Sequence, residues 1–366
     1  MSFVASPSKA GWIIGVGGYA GRTIILDTTT KPALTTIRGP DLLAAKLGPI
    51  LAAVGHKVYA LCSSPDYIDE PNFVPWFEVL DLSKRTVVTE SESDGTGHRL
   101  DGCVWEELPC PPFFPRKLSP TGYLHPPIIS VRSYVLVPPY MLLSLNQTRS
   151  CTYAFDTGSG DWHKINGDKS LPFVGRATPH GHVFLGTSLR NWSVNAYRIS
   201  VHSSASSSCF RFPSTVLGGG VSNSGGNGSA TALRLSIAEY SIRSKNEHGE
   251  VQRVGTTAGQ AIVSLDGERF SLLTFSLGDR RRSSRMSCYF GHDDDDEFDY
   301  HSYYSAKLVA KFTTYRVEDP ALLEEDEEKL WAVRHQIAVC KLHEQEFEFS
   351  SSGGFSSSPI PFALSI

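Results

Sequence analysis

The stretch Thr152-Tyr-Ala-Phe-Asp-Thr-Gly-Ser-Gly-Asp-Trp-His-Lys-Ile165 constrains this chain more than any other. An alternating strand runs into an Asp-Thr-Gly-Ser-Gly turn, and a second strand opens on Trp162. Period-2 alternation buries one face of such a hairpin, and the Asp/Gly/Ser turn supplies the backbone freedom a tight reversal needs. The pattern recurs along the chain, so it is a repeat unit, and a repeat redefines the fold.

Five strands follow a glycine or proline turn: Gly11-Trp-Ile-Ile-Gly-Val16, Gly55-His-Lys-Val-Tyr-Ala-Leu61, Pro139-Tyr-Met-Leu-Leu-Ser-Leu145, Gly181-His-Val-Phe-Leu-Gly186 and Gly267-Glu-Arg-Phe-Ser-Leu-Leu273. Each precedes a second strand: Thr23–Asp27, Phe77–Asp81, Thr152–Asp156, Asn195–Ile199 and Thr313–Val317. The first three of these end in Asp and enter a Thr- or Ser-containing turn. Trp105 in Cys103–Leu108 and Trp162 in Trp162–Ile165 stand in a last strand, where an indole can cover the apolar seam to a neighbouring unit. Asp156 and Trp162 therefore read as architectural residues. Leu233–Glu239 and Trp331–Cys340 supply strands for a sixth unit. Unequal spacing between the units means that loops have grown between strands.

This rhythm resembles the kelch repeat of β-propellers, whose radial closure leaves few sheet edges exposed. A closer resemblance lies in Trp76-Phe-Glu-Val-Leu-Asp-Leu82, Leu100-Asp-Gly-Cys-Val-Trp105, Leu108-Pro-Cys-Pro-Pro112, Arg132-Ser-Tyr-Val-Leu136, Thr152-Tyr-Ala-Phe-Asp-Thr157 and Ala177-Thr-Pro-His-Gly181. These phrases are similar to those of a plant family, expanded in grasses, of kelch-like proteins of unknown function, over residues 10 to 345. The resemblance implies an all-β, kelch-type β-propeller of about five to seven blades of antiparallel strands, and it brings no reaction, cofactor or catalytic residue. One domain over 10–349 is expected, with Ser/Gly-rich or charged insertions near 203–230 and 278–304 and a loosely packed tail over 350–366.

A net charge of −4 and a pI near 6.3 give no global attraction to phosphate backbones, so no nucleic-acid partner is expected. The seven cysteines (Cys62, Cys103, Cys110, Cys151, Cys209, Cys288, Cys340) are odd in number and never form a CxxC pair. Reduced thiols in a cytoplasmic or nuclear protein fit that pattern. No segment reaches the length a membrane span needs, and Trp12–Val16 is too short for a secretory core. The expected state is a monomer.

Candidate sites are few. Gly15-Val-Gly-Gly-Tyr-Ala-Gly21 superficially suggests a dinucleotide loop, but a strand rather than a helix follows it, so it reads as a hairpin turn. His292-Asp-Asp-Asp-Asp-Glu-Phe-Asp299 lacks the alternation of a Ca²⁺ loop and reads as a solvated acidic loop. Arg281-Arg-Ser-Ser284 places hydroxyls beside arginines and would suit phosphorylation at Ser283 or Ser284, though an unmodified loop is the simpler reading. His56, His180 and His182 sit at repeat turns; His180 and His182 could face one metal, yet no third ligand is spaced to join them. No nucleophile elbow or zinc-protease motif is present. The six tryptophans, Trp12, Trp76, Trp105, Trp162, Trp192 and Trp331, mostly suit sheet packing.

Catalytic, cofactor-binding and metal-binding residues are therefore expected to be none, and cofactors none. The expected function is a non-enzymatic scaffold whose loops on one propeller face recognise a protein or peptide. The run Asp41–Ile50 is too short for an F-box, which leaves ligase recruitment without a motif. The alternative is a metal-dependent kelch-propeller enzyme, oxidase- or specifier-like, which would need a His/Asp/Glu or Tyr/Cys cluster at the channel mouth.

Overall fold

The computed structural model describes residues 1–18, 20–30, 34–46, 48–64, 75–92, 95–114, 129–147, 151–165, 169–205, 231–246, 248–255, 260–277, 306–319 and 336–351. Among them there is no helix, and every regular element is a strand. Five four-stranded antiparallel meanders follow one another. The first is β1 (Ser2–Ala5), β2 (Trp12–Gly17), β3 (Arg22–Asp27) and β4 (Thr35–Arg38). The second is β5 (Ile50–Val54), β6 (Lys57–Leu61), β7 (Phe77–Asp81) and β10 (Trp105–Glu107). Between β7 and β10 the chain makes a hairpin of β8 (Thr86–Glu92) and β9 (Gly95–Asp101), and β9 pairs in parallel with β4 of the first sheet.

The third meander is β11 (Val131–Val137), β12 (Tyr140–Leu145), β13 (Thr152–Asp156) and β14 (Trp162–Lys164). The fourth is β15 (Phe173–His180), β16 (Val183–Ser188), β17 (Val194–Ala205) and β18 (Thr231–Lys245), with short β19 (Val251–Arg253) against the end of β18. The fifth is β20 (Ala261–Ser264), β21 (Arg269–Leu277), β22 (Ala306–Val317) and β23 (Gln336–Ser351). Parallel contacts of β11 with β15 and of β18 with β23 join the last three meanders into one ladder.

Strand alternation explains the packing, because each internal sheet is apolar on both faces. In β12, Met141, Leu143 and Leu145 enter the seam with the second sheet, while Leu142 enters the seam with the fourth. In β16 and β17, Leu185 and Ala196 face the fifth sheet, and Tyr197 and Ile199 face the third. Four buried clusters thus fill the seams between consecutive sheets, one to two, two to three, three to four and four to five.

The two indoles expected to cover seams do so, each over the seam to the preceding sheet. Trp105, which opens β10, is buried in the cluster shared with the first sheet and donates from Nε1 to Thr23 Oγ1 at 3.0 Å and to the Pro40 carbonyl at 3.1 Å. Trp162, which opens β14, lies 5.0 Å from Phe155 and 5.5 Å from Phe77 of the second sheet, and donates to the Pro109 carbonyl at 2.9 Å.

The strand-ending aspartates hold the turns. Asp156 Oδ1 accepts from the Gly158 and Ser159 amides at 2.8 and 3.3 Å, and Asp81 Oδ1 from the Ser83 amide at 2.8 Å. Asp27 accepts from the Thr29 amide and hydroxyl through Oδ1 and from Trp12 Nε1 through Oδ2. The Thr29 hydroxyl bond leads the causes that hold the Asp27 carboxyl below its ordinary range, and the Ser83 amide does the same for Asp81. At the opposite turn Gly11 has φ +80°, and a Cβ there would meet Thr29 Cγ2 at 2.4 Å, so this turn requires glycine.

One expectation is corrected. Leu233–Glu239 and Gln336–Cys340 form no sixth unit: they lie in β18 and β23, the outermost strands of the fourth and fifth sheets. In sequence, residues 206–230 separate β18 from its partner β17, and residues 318–335 separate β23 from its partner β22. β23 runs on to Ser351, where Ser350 and Ser351 pair with Lys307 and Ala306. The remainder of the tail lies outside the described residues.

Candidate functional site

Three of the sequence-level candidates lie outside the described residues: the acidic run His292–Asp299, the Arg281–Ser284 block with Ser283 and Ser284, and Trp331. The Gly15–Gly21 segment is the β2–β3 hairpin, as its flanking strands indicated. Its glycines serve close packing, because a Cβ on Gly17 would meet the Lys46 carbonyl at 2.7 Å and the Gly18 amide donates to that carbonyl at 3.0 Å.

The histidines are not brought together. His56 and His182 are exposed on separate turns, whereas His180 is buried with Nδ1 2.9 Å from Ser264 Oγ. Burial pushes the His180 imidazole below its ordinary value, and Asp266 opposes that shift. Among the described residues no group of three or more His, Cys, Asp or Glu side chains is placed to hold a metal ion.

The geometry points instead to the loop Leu189–Ser193 between β16 and β17. Trp12, Trp76 and Trp105 are 2–3 % exposed, but Trp192 is 43 % exposed. It also has φ +60°, the only positive value among the described non-glycine residues. A bulky side chain in the left-handed region costs roughly 1–3 kcal/mol and persists only where its surroundings impose it.

The surroundings here are specific. The Trp192 amide donates to the Ser188 carbonyl at 3.0 Å, and the Ser188 amide to the Ser193 carbonyl at 2.8 Å. Asn191 Oδ1 accepts from the Ser193 amide and hydroxyl at 3.1 and 2.6 Å. From the connection into β20, Gln260 Nε2 donates to the Trp192 carbonyl and to Thr187 Oγ1, both at 3.1 Å. Below the loop, Glu239 Oε1 accepts from Asn195 Nδ2, Tyr197 Oη and Ser188 Oγ at 2.7, 3.2 and 3.3 Å. Burial first, and then the Glu239 carboxylate, raise the Tyr197 phenol, which keeps it a donor.

Beside this loop runs a cleft of about 980 Å³ between the β18–β19 end and the sheet of β21, β22 and β23. Its lining includes Gly255, whose missing Cβ leaves room for Oε1 of Gln260, the side chain that donates to the Trp192 carbonyl. On the opposite wall Glu344 binds Lys341 at 2.5 Å and Lys311 at 2.8 Å. The Lys311 hydrogen bond, then that of Lys341, brings the Glu344 carboxyl down to about 2 from an ordinary 4.5.

A depressed carboxylate stabilises the fold fully above its unfolded value and loses that contribution as pH falls through its folded value. The stability difference between wild type and E344Q is therefore expected to be constant well above pH 4.5, to shrink as the pH falls below 4.5, and to vanish only as it passes below about 2. Chemical denaturation of both proteins across that range checks this; a difference that does not change with pH would remove the ion cluster from the account.

A family described as "Protein of unknown function (DUF1668)" matches residues 1–340. The chain belongs to this family. Its match spans the first four meanders and most of the fifth, including the Trp192 loop and the start of β23. No curated protein matches the chain.

Proposed function

We propose that this DUF1668 protein is a five-bladed propeller of kelch type that acts as a non-enzymatic scaffold, gripping a protein or peptide partner at the Trp192 loop and the adjoining cleft. Each meander is then one blade, and the four apolar seams are contacts between neighbouring blades. Ring closure pairs the remaining apolar faces. On the first sheet that face carries Phe3, Ile13, Ile24 and Leu26; on the fifth, Val263, Leu273, Phe275 and Phe312.

The observation that carries the binding role is Trp192. An indole exposed on a strained backbone, held there by a polar network, is poorly explained by stability. Tryptophan is among the residues on which binding energy concentrates, and a pre-set loop loses little entropy when it docks. Functional residues commonly sit on loops held by a rigid framework, as this one is.

The test compares affinity capture by wild type, W192A and L43A, the last altering a side chain 58 % exposed at the junction of the first two sheets. The expected result is a set of partners retained by wild type and L43A and lost by W192A. A hot-spot truncation of this kind lowers affinity by roughly 30-fold or more. W192G provides the complementary measurement: glycine accepts the left-handed backbone, so thermal stability should hold or rise while capture is lost. Capture unchanged in W192A, or W192G unfolding well below wild type, would defeat the reading.

A further inference from the structure

Resting on the ring closure proposed above, we infer that the seam between the fifth and first sheets is the weak one, and that the ring opens there while the other four seams stay shut. Four seams each hold a buried apolar cluster, and among the described residues no such cluster joins the fifth sheet to the first.

The faces available to this seam follow from strand alternation. On the first sheet, Val4, Trp12, Ile14 and Ile25 point into the cluster shared with the second sheet. The opposite face is therefore Phe3, Gly15 and Ile24 across one row and Ala5, Ile13 and Leu26 across the next. Gly15 offers no side chain, and the Phe3 ring occupies its place, since a Cβ there would meet Phe3 Cε1 at 2.5 Å. Phe3, Ile13, Ile24 and Leu26 are only partly buried.

On the fifth sheet, Ile262, Phe270 and Leu272 face the fourth sheet. The other face presents Val263, Ser271 and Thr314 in one row and Ala261, Leu273 and Phe312 in the next. The first row is mostly polar: Ser271 and Thr314 spend their hydroxyls on each other at 2.7 Å. In the second row Phe312 remains 37 % exposed. A glycine on one side and a hydroxyl pair on the other leave less apolar area to bury than the aromatic clusters of the neighbouring seams. Opening free energies differ across a structure in proportion to such burial.

Opening at this seam separates the first sheet from the fifth and leaves the fourth and fifth sheets together. The cleft and the Trp192 loop therefore stay intact while the fifth sheet moves with the fourth.

The chain carries its own controls for a test by thiol labelling, because Cys62 and Cys151 are buried at 5 % and 8 % exposure in the cluster between the second and third sheets. Val263 has the same 8 % exposure and faces the fifth-to-first seam. In V263C, labelled under native conditions and read site by site by mass spectrometry, the new thiol should react at least ~10-fold faster than Cys62 and Cys151, and far slower than the same reagent with a free thiol peptide. L273C repeats the measurement in case one variant is perturbed. Replacing the hydroxyl pair in V263C/S271V/T314V should slow labelling towards the rate of Cys62. Labelling of both new thiols as slow as that of Cys62 overturns the weak seam and leaves the ring standing. Labelling as fast as the free peptide means that the face is not covered at all, which refutes ring closure.

Discussion

K46M is expected to lower the unfolding free energy by about 3–5 kcal/mol, the range for removing one partner of a buried ion pair. Lys46, between β4 and β5, and Glu78, in β7, form a salt bridge in which both side chains are wholly buried. Lys46 Nζ also donates to the Pro75 carbonyl at 2.9 Å and the Ala44 carbonyl at 3.4 Å. Glu78 accepts from the Leu43 amide at 2.8 Å and the Ala44 amide at 3.4 Å. The pair thus ties the link between the first two sheets to a central strand of the second. Methionine matches the lysine stem in length but leaves a buried carboxylate without its cation. Against a total stability of about 5–15 kcal/mol, that loss is large.

The double variant K46M/E78Q separates a charge effect from a packing effect. Glutamine keeps an oxygen to accept from the Leu43 amide while removing the unpaired charge, so the double variant should recover more than half of the loss. Urea denaturation of wild type, K46M, E78Q and the double variant supplies the cycle. A K46M loss below ~1 kcal/mol, or a double variant no better than K46M, would mean that water reaches the site or that the lysine stem matters more than its charge.

This pair could not have been read from the sequence, and the reason is physical. Lys46 lies in an irregular segment and Glu78 in the strand Phe77–Asp81, with no period relating them; only the register of β7 against β6 and the path around Gly17 and Gly18 bring them together. The strands themselves were legible because each obeys a local rule. The second and third strands of all five meanders were found from turn glycines, alternation and the aspartates that close the next turn. Outer strands were most legible where a tryptophan opened them, as at β10 and β14. β18 and β23 lie beyond long insertions, so their alternation was visible but their partners were not.

The β8–β9 hairpin escaped for another reason. Its described side chains are mostly polar and exposed, with pairs such as Arg99 with Glu90 at 2.6 Å, and leave little apolar signal. Trp192, 43 % exposed, departs from the packing role that its residue type suggests. Tryptophan in a β protein is usually packing material, and the four other residues of its loop do not reveal that the strand before it ends at Ser188 and turns the indole outward. The left-handed backbone at this position is a property of the closed loop and its polar braces, which come from β17, β18 and the connection into β20.

The legible tryptophans make the second large prediction. W105A is expected to cost about 3–5 kcal/mol, as for truncation of a buried aromatic side chain. W105F should cost less, about 1–3 kcal/mol, because phenylalanine keeps most of the apolar volume but leaves Thr23 Oγ1 and the Pro40 carbonyl without the indole donor. W162F should cost least, since Trp162 is only partly buried and the Pro109 carbonyl it serves can turn to water. The distinguishing consequence lies in where the damage appears. Both hydrogen-bond acceptors of Trp105 belong to the first sheet or to the segment leaving it, although the residue itself sits in β10 of the second. Amide exchange in W105F should therefore rise most in β2 and β3, across the seam, and less in β6 and β7 of its own sheet. Exchange rising first within the second sheet would make Trp105 a core residue of its own unit. The expected pattern makes it a clasp that fastens the second sheet to the first.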